Sequence, residues 1–86
     1  MASIEEVRAG ISAANEQANE GLGALQQAHA SLEQAQGALM RATEGSGQAD
    51  VSEATGLLAQ AVSNISDVLQ QVSAAIQASD DVSARL

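Results

Sequence analysis

Residue types capable of chemistry are few in this chain and widely spaced. His29 precedes Glu33 by four residues, one helical turn, which would set an imidazole beside a carboxylate and supply two ligands to a divalent ion. Two ligands do not make a zinc site, and the chain has no cysteine to complete one. Glu16 and Glu20 repeat the one-turn spacing, and Asp80 and Asp81 are adjacent near the C-terminus. Paired carboxylates do acid–base work when a cleft drives their pKa values apart. These are spread along the chain, with no nucleophile–base arrangement beside them, and read as solvated faces. Asn64-Ile65-Ser66 matches a glycosylation acceptor by pattern alone, with Ile65 placed on an apolar stripe. The expectation is therefore not an enzyme: no catalytic residue, no cofactor, no metal and no small-molecule substrate.

Composition restricts what could position such residues. With no aromatic residue and no proline, and with Ala, Gln, Ser and Glu dominant, the chain favours helix over strand. Eighty-six residues make one small domain whose single core barely offsets the entropy of ordering it, so further stabilisation is expected. Disulfides cannot supply it, which leaves oligomerisation. The net charge of −8 disfavours nucleic acid and anionic membrane surfaces, both of which attract clustered basic residues. No apolar run reaches the roughly 20 residues of a membrane span, and Met1-Ala2-Ser3-Ile4-Glu5-Glu6 lacks the basic start of a secretory signal. A cytoplasmic location is expected, with signal-independent secretion possible.

Apolar residues recur every seven positions. Ile4, Ile11, Ala18, Leu25, Leu32 and Leu39 form one row, and Val7, Ala14, Gly21, Ala28, Ala35 and Ala42 lie three residues on. A second block repeats the pattern with Val51, Leu58, Ile65, Val72, Ser79 and Leu86, followed by Ala54, Ala61, Val68, Ala75 and Val82. Such spacing lines one stripe of a helix and suits a left-handed supercoil. Between the blocks, Glu44-Gly45-Ser46-Gly47-Gln48 carries the glycines that end helices. The expected fold is all-α: one two-helix antiparallel coiled-coil hairpin over residues 1–86, with helix 1 at about 4–43, a turn at 44–48 and helix 2 at about 49–85. Ser3 with Glu6 matches a capping box, and either Ser46 or Asp50 with Glu53 could cap the second helix.

Folding the blocks back at Ser46–Gly47 sets Leu39 opposite Ala54, Leu32 opposite Ala61, Ala28 opposite Ile65 and Gly21 opposite Val72, large against small throughout. Ala14, Ala18, Ala75 and Ser79 make a thin spot. One apolar row is left over: Val62, Leu69 and Ile76 on helix 2, with Leu22 on the same flank of helix 1 and His29 beside it. A hairpin alone is expected to leave that flank wet, so Leu22, His29, Val62, Leu69 and Ile76 are the expected interface, joining two hairpins into a four-helix bundle or meeting another helical protein. Histidine titrates near neutral pH, so its burial there would make the contact pH-sensitive. Gly23, Gly37 and Gly56 fall on the outward side, where close approach of another helix is one reading.

Two resemblances follow from particular segments. The opening Met1-Ala2-Ser3-Ile4-Glu5-Glu6-Val7-Arg8-Ala9-Gly10-Ile11, the central Ala42-Thr43-Glu44-Gly45-Ser46-Gly47 with Gly56-Leu57-Leu58-Ala59-Gln60-Ala61, and the closing Ala84-Arg85-Leu86 resemble a family of short actinobacterial proteins of unknown function. In length, acidity and two-helix architecture the chain is also similar to the WXG100 group of type VII secretion, which would imply a secreted or delivered hairpin. The turn here reads Gly45-Ser46-Gly47 where that group has Trp-x-Gly, so the architecture alone carries over. A non-catalytic module that self-associates through an apolar helix flank is the leading expectation.

Overall fold

The computed structural model describes residues 2–45 and 47–86. Helix α1 spans Ile4–Ala42 and helix α2 spans Ala49–Arg85, and the two pack side by side in a rod of 64 × 18 × 15 Å. At 1.5 Å per residue each helix runs roughly 55–60 Å, so the rod is one hairpin long. The expected hairpin is what forms.

Local chemistry explains where the helices begin and end. The Ser3 hydroxyl accepts a hydrogen bond from the Glu6 N–H at 3.1 Å, satisfying one of the N–H groups that a first turn leaves without a partner. Glu5 and Glu6 place negative charge at this positive end of the helix dipole, and Arg41 places positive charge at the other. The chain leaves α1 through Thr43, whose N–H and hydroxyl both donate to the Leu39 carbonyl, and then Gly45, whose φ of 85° is left-handed. Glycine adopts that conformation without the steric cost a Cβ would bring. Helix α2 starts where expected, but its cap differs from expectation. Gln48 occupies the cap without a side-chain hydrogen bond, and Asp50 lies inside the first turn, where its charge favours the dipole instead of capping. Met1 and Ser46, the latter an expected turn residue and alternative cap, lie outside the described residues.

The packing seam corrects the expected register. Apart from Ala28 and Gly37 at its edges, half-buried positions on α1 run Ile11, Asn15, Ala18, Leu22, Leu25, His29, Leu32, Gln36 and Leu39, continuing to Thr43. On α2, apart from Ala54, Ala61 and Ser66 at its edges, they run Val51, Thr55, Leu58, Val62, Ile65, Leu69, Val72, Ile76, Ser79 and Ser83. Both series alternate steps of four and three, the signature of a coiled-coil seam. The row through Ile11 and Leu32 is as expected, but its companion lies four residues on and not three. Pairing the two series about the turn brings Leu25 level with Leu69, Leu32 with Val62, Leu22 with Val72 and Ala18 with Ile76. The one cross-helix side-chain hydrogen bond among the described residues agrees: Asn15 Nδ2 donates to Asp80 Oδ1 at 2.7 Å, beside the level where Asn15 meets Ser79.

This shift of one residue has a physical cause. Rows at i+3 and i+4 flank the main stripe on opposite sides, and whichever holds the bulkier side chains gains more by burial. On α2 the i+4 row carries Val62, Leu69 and Ile76, against Ala61, Val68 and Ala75 in the other. The expected thin spot is thereby divided: Ala18 and Ser79 stay in the seam opposite Ile76 and Asn15, while Ala14 and Ala75 are exposed. Gly21 is exposed too, and a Cβ built on it would meet nothing within 4 Å, so Val72 does not require its smallness.

Gly23 and Gly56 are also exposed with open space around a Cβ, whereas a Cβ on Gly37 would touch the Arg41 guanidinium at 3.4 Å. Interior helical glycine costs about 1 kcal/mol relative to alanine. Gly23→Ala combined with Gly56→Ala should therefore raise Tm, by roughly 8 °C or more in a domain of this size, measured by circular dichroism. A fall in Tm would mean that another surface approaches these two positions closely.

Candidate interaction surface

The five expected interface residues, Leu22, His29, Val62, Leu69 and Ile76, are all half-buried within the single hairpin. The expectation that a hairpin leaves them wet is corrected: they are the second row of its own seam. His29 joins that row level with Ile65, its side chain 27% exposed, and its Nδ1 lies 2.9 Å from Glu33 Oε1. The expected one-turn pair therefore forms. Its carboxylate is 57% exposed, so solvent screens the contact and it contributes little to stability.

No other arrangement among the described residues brings reactive groups together. Among the described residues, three metal-binding side chains do not cluster, and no cavity is found between the helices. Glu16, Glu20, Asp80 and Asp81 are exposed. Asp81 accepts from Gln77 Nε2 at 3.2 Å and Asp80 accepts from Asn15, so the C-terminal carboxylates serve as hydrogen-bond acceptors along and between the helices.

The apolar surface left over is the row that the sequence assigned to the seam. In an antiparallel pair the two rows that precede the seam's i+4 positions lie on one side of the hairpin, and the two rows beyond the main stripe lie on the other. The Asn15–Asp80 hydrogen bond marks the second side. The first carries Val7, Ala14, Gly21, Ala28, Ala35 and Ala42 from α1, and Ala54, Ala61, Val68, Ala75 and Val82 from α2. Ala28, Ala54 and Ala61 are half-buried at its floor, while Val7, Val68 and Val82 stand 38%, 38% and 39% exposed. Leu57, 59% exposed, borders this flank near the turn.

Charge is absent from this flank. None of its eleven residues is ionisable, and among the acidic side chains only Asp50 borders it. The others occupy the outer edges and the opposite side, so a chain of net charge −8 presents one uncharged apolar face along its length. Two elements build that face jointly, and neither helix alone would present it. A sequence signal for it existed: once the bulkier i+4 row is given to the seam, the alanine–valine row is what remains outside.

Fold and surface together define an antiparallel two-helix coiled-coil hairpin with one polar and one apolar flank. Comparison of the chain with family models, with curated proteins and with solved structures finds no match. Among the described residues, neither helix is long and apolar enough to cross a membrane.

Proposed function

We propose that this hairpin is a non-catalytic structural or interaction module that acts by associating with a second copy of itself. The supporting observation is incomplete burial. Among the described residues none is buried, including the leucines and isoleucines of the seam. A folded monomer of 8.6 kDa exposes roughly 4,700 Å² by the usual size scaling, whereas this chain exposes 6083 Å². Part of that difference is the extended shape of the rod, and the area left open is ample for the ~800 Å² that each partner contributes to an interface of standard size. The uncharged Val7–Val82 flank is where such a surface can be covered without bringing acidic side chains together, since solvent-exposed like charges brought close oppose association.

Covering it would also supply the stabilisation that a small single core lacks. Sedimentation or light scattering should give twice the 8.6 kDa chain mass at micromolar concentration, with a Tm that rises with protein concentration as mass action requires. The mass of one chain persisting to millimolar concentration would sink the reading.

A further inference from the structure

We infer that the second copy docks antiparallel on the Val7–Val82 flank, its turn beside the first copy's termini, with α1 facing α1 and α2 facing α2 across a twofold axis. This rests on the self-association proposed above and adds an orientation to it. The flank is uneven along its length. By the hairpin's register Ala14 is level with Val82, Gly21 with Ala75, Ala28 with Val68, Ala35 with Ala61 and Ala42 with Ala54. Val7 and Val82 therefore lie in the terminal half, Val68 lies just past the middle, and the two levels nearest the turn hold only alanine.

Two docking directions distribute this bulk differently. A parallel copy superposes equal levels, so the layers at Val82 and Val68 each receive two valines, the Gly21–Ala75 layer between them receives none, and the two levels nearest the turn are alanine throughout. Helix axes 8 to 10 Å apart cannot follow such a taper without leaving gaps at the small layers, and unfilled space forfeits dispersion contacts. An antiparallel copy brings Val82 over Ala61, Val68 over Ala75 and Val7 over Ala42 of its mate. Each layer then holds one valine among alanines and glycine, so the spacing is even from end to end. The twofold operator makes the contact self-complementary and closed, so it stops at two chains.

The chain has no cysteine, so one introduced thiol carries a unique spin label. Glu53→Cys is exposed near the turn, on the side away from the flank. In the antiparallel dimer the two labels sit roughly 55–60 Å apart, from the 1.5 Å rise over the residues between them, whereas a parallel dimer brings them within about 30 Å. Asp81→Cys near the other end should give a shorter distance, roughly 35 Å, because it lies closer to the twofold axis. Both distances measured by double electron–electron resonance on the labelled dimer constitute the test. A Glu53→Cys distance below about 30 Å on a species of dimer mass overturns the docking direction and leaves self-association standing. A species of single-chain mass with no intermolecular dipolar signal overturns self-association and the docking with it.

Discussion

Leu69→Asp should melt the hairpin rather than merely separate two copies of it. Leu69 is half-buried in the seam, level with Leu25. Its truncation removes part of the burial that holds α2 to α1, and the new carboxylate is held against leucine. Complete loss of a buried leucine costs 2–5 kcal/mol; half burial reduces that, and desolvating the charge adds to it, for a total of about 3 kcal/mol. In a domain of this size such a loss lowers Tm by roughly 12–24 °C. Isolated helices owe most of their stability in proteins to an amphipathic face packed on a partner, so ellipticity at 222 nm should fall together with mass. A Leu69→Asp chain that keeps its Tm but loses its partner would return Leu69 to an outer surface and overturn the register.

The neighbouring substitution should do the opposite. Val68 is 38% exposed on the uncharged flank, so Val68→Glu replaces a side chain that the single hairpin hardly uses. Surface changes of this kind alter stability by about 0.5 kcal/mol or less, and glutamate is the better helix former. Helicity should therefore be kept. In the proposed dimer, however, position 68 lies near the twofold axis, and each copy would bring an unpaired carboxylate into an apolar contact. A penalty of about 2.7 kcal/mol or more weakens association at least 100-fold, leaving a monomeric hairpin at micromolar concentration. Sedimentation and circular dichroism on the same sample read both properties. A Val68→Glu chain that dimerises as tightly as the parent would remove this flank from the interface.

The contrast between positions 68 and 69 turns on one residue of register, and that is also where the reading of the sequence stopped. Seven-residue repetition made both helices, their lengths and the intervening turn legible. Ser3 before Glu6 located the start of α1, and Gly45 located the reversal. Two helices of nearly equal length joined by a short turn have few ways to lie other than antiparallel. Which residues would be half-buried was less legible. The row through Ile11, Leu25 and Leu39 belongs to the seam in either register. Its companion could be the row three residues on or the row four residues on, since helical geometry places both beside it.

On α1 taken alone the choice is misleading. The three-on row is Val7, Ala14, Gly21, Ala28, Ala35 and Ala42, all apolar, while the four-on row is Arg8, Asn15, Leu22, His29, Gln36 and Thr43. Polarity along α1 thus points to the alanine row. On α2 the four-on row is Thr55, Val62, Leu69, Ile76 and Ser83, whose three large side chains gain more from burial than the alanines and valines beside them. Both helices must share one seam, so the bulk on α2 draws the mixed row of α1 in with it. Asn15 and His29 tolerate that position because each finds a polar partner at the seam's edge, Asp80 and Glu33 respectively.

The chain's own residues therefore determined the helices, the place where they reverse and the existence of more apolar surface than one hairpin hides. Only tertiary packing decided which apolar row is hidden and which faces outward. Periodicity is a property of one helix and is recorded in one stretch of chain. Burial is shared between two helices, and depends on the volumes that each presents to the other at the same level of the rod.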